Sequence, residues 1–332
     1  MLNKKSLSEA DIIAKYIRPA IIDAGWQENR IRQEFSFTNG RVFVKGKKTI
    51  RGEKKRADIL LYYKQNIPIA VVEAKDNNHS ISDGIQQALG YAETLDLPVA
   101  ISSNGDGWQI HYRKNCNSIT EETRGLNQFP TFNEIYQCYK IYKGIETREE
   151  ERINSQDYYY DGSGMTPRYY QQIAINRTVE AVSKGQQRIL LVMATGTGKT
   201  YTSFQIIYRL WRSGTKKRIL FLVDRTNLID QTNRGDFKHF GDTLTVVRKK
   251  KIDKAFEIYL ALYQGLTNYD EDADAYKEFS PDFFDLVVVD ECHRGSAADD
   301  SEWRKILEYF SNATQIGMTA TPKKRPAAFR VK

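Results

Sequence analysis

Two apolar runs that break abruptly into polar turns constrain this chain more than anything else in it. The first leads into Met193-Ala194-Thr195-Gly196-Thr197-Gly198-Lys199-Thr200, and the second is Leu286-Val287-Val288-Val289-Asp290-Glu291-Cys292-His293. Each reads as a buried strand that ends in a turn. Glycines at 196 and 198, interleaved with Thr195 and Thr197, let backbone N–H groups curl around phosphate, and Lys199 neutralises its charge. Thr200 and Asp290 are suited to hold Mg²⁺, and Glu291 is placed to polarise an attacking water. Together the two turns predict the halves of one ATP site.

Composition sets the outer bounds. At 332 residues the chain is long enough for two domains with proper cores. Forty per cent hydrophobic and 28% charged residues describe an ordinary globular protein. No apolar run approaches the roughly 20 residues that span a bilayer. The first residues lead into an amphipathic pattern and not a signal-peptide core, so a cytoplasmic protein without membrane contact is expected. Cys116, Cys138 and Cys292 show neither metal spacing nor a paired framework and read as reduced thiols. The formal charge of +8 favours a polyanionic partner, although many basic proteins bind no nucleic acid.

Residues 6–24 carry apolar positions at helical spacing, closed by Gly25-Trp26. Strand-like runs follow at 41–44, 57–63, 69–74, 99–102 and 108–112, with a helical stretch over 81–95. This is the order of a small α/β domain, taken here as residues 1–144. Residues 145–165 lose apolar periodicity, carry a charged run and end in Asp161-Gly162-Ser163-Gly164, which predicts a linker. From 166 to 332, strands expected at 188–192, 218–223, 243–247, 286–289 and 315–318 alternate with helical stretches. Apolar strands without alternation suit a parallel sheet covered on both faces.

The second domain resembles the superfamily 2 helicase and translocase ATPases over roughly residues 165–322. Met193 stands where a strict P-loop has its first glycine, and the A-T-G-T-G-K-T run that begins at Ala194 resembles the glycine-rich turn usual in that superfamily. Arg168-Tyr169-Tyr170-Gln171 resembles the Q motif, in which the glutamine reads the adenine edge; a solvated helix start is the plainer reading of the same residues. The run 222–228, including Arg225, looks like motif Ia, which touches the DNA backbone in these enzymes. Leu262-Tyr263-Gln264 is a loose counterpart of motif Ib. Thr319-Ala320-Thr321-Pro322 resembles motif III, which couples the ATP site to the DNA track, so Thr319 and Thr321 are expected on the DNA side. The basic runs at 216–218 and 248–251 read as solvated edges. The resemblance implies a DECH-box RecA-like P-loop domain. It also implies that the opposing lobe, with its arginine finger, lies outside these residues. The isolated chain, truncated after motif III, is therefore expected to bind ATP but to hydrolyse it negligibly. Residues 324–332 depart from what the superfamily carries after this motif.

In the first domain, Asp58 sits on one candidate strand and Glu73-Ala74-Lys75 ends the next, with the turn 64–68 between them. If the strands pair, the two carboxylates converge near one edge of the sheet. They can then hold Mg²⁺ through hard oxygen ligands, helped by the Ala74 carbonyl. Lys75 is placed to orient the attacking water and stabilise charge on phosphate. This D…E-x-K pattern is that of restriction-type, PD-(D/E)xK nucleases. Gln87 and Tyr91 follow one helical turn apart, a Q-x-x-x-Y pattern found in RecB-like nucleases, and are expected on the DNA side; simple packing of an amphipathic helix is the plainer alternative. Glu9 reads more readily as a charge near a helix N-terminus than as an extra metal-site carboxylate.

A restriction-endonuclease-like domain, then a linker, then a superfamily 2 motor lobe resembles the restriction subunit of type I restriction–modification enzymes, the HsdR family. The likeness runs from residue 6 to about 322 and rests on the combination and order of motifs. It implies a type I site-specific deoxyribonuclease that translocates on double-stranded DNA with ATP and Mg²⁺, cutting non-specifically away from its recognition site. Its expected partners are methylation and specificity subunits. Another nuclease–helicase fusion, such as a type III subunit or a repair protein, or an inactive nucleotide- or DNA-binding fragment, are the alternatives. Type III subunits usually carry the nuclease after the motor.

Overall fold

The protein was analysed as a computed structural model, which describes residues 3–38, 42–45, 48–51, 54–223, 226–247, 253–267, 274–290 and 299–320. Two compact units of nearly equal size divide the chain. One takes Met1–Glu151 together with Gly162–Ile173, the other Arg152–Asp161 together with Ala174–Lys332. The stretch 145–165, which composition reads as a linker, is thus shared between them and contains the helix Arg148–Asn154. Its charged residues face water on one side while Ile153 is buried, a pattern too short to register as periodicity.

The first unit contains β1 (Ile31–Thr38), β2 (Val42–Lys45), β3 (Lys48–Arg51), β4 (Lys54–Lys64), β5 (Ile67–Ala74), β6 (Val99–Ser103), β7 (Gly107–Tyr112) and β8 (Glu121–Gly125). Six of them form one mixed sheet in the order β1-β4-β5-β6-β7-β8, and β2 and β3 make a ribbon of their own. Only β5 and β6 run parallel in the large sheet. A parallel neighbour demands a crossover, and the helix Ile85–Leu95 provides it. Its inner face, Ile85, Ala88, Tyr91, Ala92 and Leu95, packs on Leu60, Tyr62, Val71 and Ala100 of the sheet.

Strands β1 and β8 escape a periodicity reading for separate reasons. β1 buries only Phe35 and Phe37 and is interrupted by Glu34 at φ 53°. β8 holds no apolar residue and survives as an edge strand bonded to β7. The helix Phe132–Lys143 did carry a legible signal. Thr131 and Glu134 form a capping box, and Gly144 closes the helix at φ 59°.

The second unit holds β9 (Arg188–Val192), β10 (Ile219–Val223), β11 (Leu244–Val247), β12 (Ile258–Leu262), β13 (Leu286–Val289) and β14 (Thr314–Thr319). All are parallel, in the order β11-β12-β10-β13-β14-β9. Leu220, Leu222, Val287 and Val289 lie against Trp303, Ile306 and Phe310. On β10, Phe221 instead meets Phe237, with ring centroids 4.9 Å apart, and Phe237 in turn meets Phe204 of the helix Lys199–Arg212. Both faces are covered, which is why the strands are continuously apolar. β12 is a five-residue apolar run that periodicity alone cannot tell from a buried helix segment. Among the described residues no helix is long and apolar enough to cross a membrane.

The segment 152–161 is strapped to the helix that follows the glycine-rich turn. The buried Arg209 guanidinium donates to the carbonyls of Asn154 (2.7 Å) and Gln156 (2.8 Å) and to Asn176 Oδ1 (2.8 Å), and lies over the Tyr158 ring. Gln205 pairs with both backbone groups of Tyr159, accepting from its N–H at 2.9 Å and donating to its carbonyl at 3.1 Å. Replacing Arg209 by Ala strands buried acceptors, each costing about 1–3 kcal/mol. We expect Arg209→Ala to lower the unfolding free energy of this unit by roughly 3 kcal/mol or more. Urea denaturation followed by tryptophan fluorescence measures it, and an unchanged midpoint would show that the strap contributes nothing.

Candidate active sites

In the first unit the register of β4 on β5 sets Ile59 opposite Val72 and Leu60 opposite Val71. Continued by one residue, it brings Asp58 opposite Glu73. The pairing is closed by a side chain: Asp58 Oδ2 accepts from the Ala74 N–H at 2.8 Å. Glu73 is 2% exposed. Lys75 Nζ donates to Glu73 Oε1 at 3.2 Å, and the Lys75 N–H is fixed to the Ser103 carbonyl of β6 at 2.8 Å. Asp58, Glu73 and Lys75 are therefore brought together at the end of β5, with the Ala74 backbone between them.

Gly84, at the start of the crossover helix, roofs this end of the sheet. A Cβ there would stand 3.1 Å from Ser102 Cβ and 3.3 Å from Glu73 Cγ. The close approach excludes water from Glu73, and burial is the main reason its carboxyl is pushed up to about 8. The neighbouring Asp58 charge adds to the rise and Lys75 opposes it. Asp58 is also raised, by burial first, with the Ala74 N–H and Lys75 pulling it back. Burial works against the Lys75 charge, but the carboxylates around it, Glu73 foremost, leave its ammonium raised.

Glu9 joins this group. Its carboxylate lies 3.8 Å from Lys75 Nζ and is raised by burial and by the Asp58 charge. It sits at the start of the helix Glu9–Ile12, capped by Ser8 and Asp11. The reading of Glu9 as a helix-end charge alone is therefore incomplete, because its carboxylate also reaches Lys75. Sequence had only its position near a helix start to offer, because no local pattern reports a contact across 66 residues.

Gln87 and Tyr91 also meet, Gln87 Nε2 donating to Tyr91 Oη at 2.7 Å. Tyr91 packs edge-on against Phe37 with centroids 5.1 Å apart, and its hydroxyl is raised by burial, with smaller contributions from Glu73 and Asp58. The tyrosine thus belongs to the core and borders the carboxylates, while Gln87 is exposed.

One atom bears on whether a divalent cation fits. Glu73 Oε2 is buried and has no hydrogen-bond partner. A buried carboxylate oxygen left unsatisfied is costly. A hard cation held by Glu73, Asp58 and the Ala74 carbonyl would satisfy it. The donor set suits Mg²⁺, although among the described residues no group of three or more His, Cys, Asp or Glu side chains is spaced to hold a metal.

In the second unit, β9 ends at Val192 and the chain turns through Met193, whose N–H donates to the Thr319 carbonyl of β14 at 2.9 Å. Gly196 and Gly198 adopt φ 78° and 82°, a region costly to residues with a Cβ. Thr197 Oγ1 donates to the Ala194 carbonyl at 2.6 Å and tightens the turn. Thr195 and Gly196 are exposed, Lys199 is buried at the start of its helix, and Thr200 follows half-buried. Asp290 ends β13 with its N–H on the Leu222 carbonyl at 2.9 Å. The turn and Asp290 therefore lie at the carboxyl ends of parallel strands separated by β14, where open α/β sheets bind ligands. Thr319 is buried on β14. Gln171 belongs to the stretch that packs with the first unit, where its Oε1 accepts from the Arg168 N–H at 2.8 Å. Arg225, Glu291 and Thr321 lie outside the described residues, as does the basic run 248–251.

Glu73 binds a proton more tightly in the folded chain than in the unfolded one. Its contribution to stability is complete below the unfolded value of 4.5 and is lost as pH rises through about 8. In EDTA, we expect stability from urea titration to fall across that window by a few kcal/mol more in the native chain than in Glu73→Gln. Millimolar Mg²⁺ should restore part of the loss in the native chain only. Parallel pH curves for the two proteins would refute the burial of a titrating Glu73.

Comparison with known proteins accounts for both units. Residues 15–130 match the family model described as type I restriction enzyme R protein N terminus, and residues 164–324 match the type III restriction enzyme res subunit model. The chain is 54% identical over 324 residues to the type I restriction enzyme EcoAI endonuclease subunit of Escherichia coli, covering 97% of this chain and 40% of that protein. It is 28% identical over 320 residues to the EcoKI endonuclease subunit of E. coli K12, covering 77% of this chain and 27% of that one. A solved fragment assigned to an HsdR subunit of a type I restriction enzyme from Vibrio vulnificus YJ016 superposes with a TM-score of 0.75 at 41% identity, over 96% of this chain and 56% of the fragment. The chain thus spans about 40% of the length of the EcoAI relative. With a restriction-endonuclease-like unit and a RecA-like unit in this order, it belongs to the family of type I restriction-enzyme R subunits, HsdR.

Proposed function

We propose that this chain is the part of a type I restriction subunit that cuts double-stranded DNA and contributes one face of its ATP-driven motor. The observation that carries the nuclease half is the buried Glu73, one oxygen on Lys75 and the other unsatisfied, beside an Asp58 anchored on the Ala74 N–H. Asp58 and Glu73 would hold Mg²⁺, which when bound supplies Lewis-acid polarisation of the phosphodiester and of water. Lys75 is positioned to orient the attacking water and to stabilise the charge that builds on the phosphoryl oxygens. Gln87 and Tyr91 border the same end of the sheet and are assigned to DNA.

In the second unit the turn from Thr195 to Gly198 cradles phosphate, and Lys199 neutralises it. Thr200 and Asp290 would hold the Mg²⁺ of the nucleotide, Glu291 would activate water, and Gln171 would read adenine. Arg225, Thr319 and Thr321 are assigned to the DNA track, with Thr319 acting through its strand because its side chain is buried. Cutting without sequence preference, away from the recognition site, follows if methylation and specificity subunits read the target. Identity to the EcoAI subunit and the nuclease-first order favour this reading over a type III subunit.

The test uses the full-length subunit assembled with methylation and specificity subunits. Asp58→Ala and Lys75→Ala should each lower DNA cleavage by at least about 10²-fold and leave DNA-stimulated ATPase within twofold. Lys199→Ala should remove ATPase, and cleavage with it. Normal cutting by either nuclease variant would overturn the site assignment.

A further inference from the structure

Arg56 is a second cation beside the nuclease carboxylates, after Lys75. It precedes Asp58 by two residues on β4 and is exposed. Burial raises the Asp58 and Glu9 carboxyls, and Arg56, like Lys75, pulls both back. Lys55, one residue earlier, reaches toward the Tyr91 ring, with its Nζ 5.8 Å from the ring centre. Arg56 reaches instead to β1, where its Nη1 donates to Glu34 Oε1 at 3.3 Å. Each of the paired strands thus brings one cation to the carboxylates, Arg56 on β4 and Lys75 at the end of β5.

Glu34 holds Arg56 from a strained backbone. Gln33 pairs with Ile59 and Phe35 with Ala57, so Glu34 stands across from Asp58 with no shift of register. Yet its φ is 53°, in the left-handed region, within a strand. For a residue with a Cβ that conformation is unfavourable. β4 is irregular at the same level: Ala57 and Leu60, three residues apart, both lie in the core under the crossover helix, which strict alternation forbids. The ion pair joins side chains 60% and 71% exposed, and such pairs return little. The contact therefore does not offset the backbone that produces it. Strain left uncompensated by its own contact gathers where a site has work to do.

We propose that Arg56 is a further catalytic residue of the nuclease site, its guanidinium leaving Glu34 to take the non-bridging oxygens of the phosphodiester being cut. Glu34 is its positioning residue and parks it beside the carboxylates until DNA arrives. This rests on the nuclease reading above and adds the group that meets the charge opposite Lys75. In hydrolysis the oxygen of water bonds to phosphorus and a bridging oxygen leaves with the electron pair of the broken bond. The two protons of the water are shared between the products. Negative charge builds meanwhile on the two non-bridging oxygens, and a planar guanidinium meets both at once where an ammonium cannot. An exposed ion pair is weak enough for a phosphate to displace. Were Arg56 there only to neutralise Asp58 and Glu9, Mg²⁺ would replace it and its loss would leave cutting intact.

The experiment uses the full-length subunit assembled with methylation and specificity subunits. Arg56→Ala should lower the single-turnover rate of DNA cleavage by about 10²-fold, while DNA-stimulated ATPase, which reports a folded subunit, is retained. Raising Mg²⁺ should not recover the loss, and added ethylguanidinium should recover part of it. Arg56→Lys should fall between Arg56→Ala and the native subunit, since it keeps the charge without the fork. Glu34→Gln frees the guanidinium early and should raise cleavage at sub-saturating DNA severalfold. In the Arg56→Ala background the same change should do nothing. Normal cleavage by Arg56→Ala, or its recovery by Mg²⁺ alone, would overturn the proposal, as would a Glu34→Gln effect that persists without Arg56. Asp58→Ala separates the two readings. If it cuts normally, the nuclease site is lost and Arg56 with it; if it fails to cut while Arg56→Ala cuts normally, only the arginine is overturned.

Discussion

The hydrogen bond from the Ala74 N–H to Asp58 Oδ2 is the contact around which the first unit's chemistry is arranged. β4 and β5 could end their ladder with an ordinary backbone pair. A side-chain carboxylate takes the donor instead, so that Asp58 is turned toward Glu73 at the sheet end. With Gly84 closing over Glu73, two acids share a place that water scarcely reaches. Such a place is unfavourable for two negative charges. Lys75 offsets part of that cost, Glu9 adds to it, and a raised carboxyl on Glu73 absorbs the rest. The parallel β5–β6 pair matters here as well, because its crossover helix supplies both Gly84 and Tyr91.

The second unit reaches its site by a different route. Six parallel strands direct their carboxyl ends to one edge, and that edge receives the glycine-rich turn, Asp290 and Thr319. The helix starting at Lys199 must hold its place for the turn to keep its shape. Part of what holds it is the segment 152–161, through Arg209 and Gln205. A stretch that composition would assign to flexible connection is therefore structural.

Much of this was legible in the chain itself. The turn around Gly196 and Gly198 demands positive φ, and the residues chosen are those that tolerate it. The Glu73-Ala74-Lys75 pattern on an apolar strand anticipates a sheet-end site, and the Gln87/Tyr91 spacing anticipates a shared helix face, on which the structure adds their hydrogen bond. Strands with weak alternation, such as β1, or with no apolar residue, such as β8, leave no periodic trace. They exist because neighbouring strands bond to them.

Local spacing and backbone chemistry are properties of adjacent residues, so the sequence by itself determined the apolar strands, the glycine turn and the pairing of Asp58 with Glu73 across a short connection. Distance in the chain carries no such information. Only the tertiary structure could bring Glu9 to Lys75, close Gly84 over Glu73, leave Glu73 Oε2 without a partner, and divide residues 145–173 between two units. Each of these depends on which surfaces exclude water from which groups, and that is decided by packing among segments far apart in the chain.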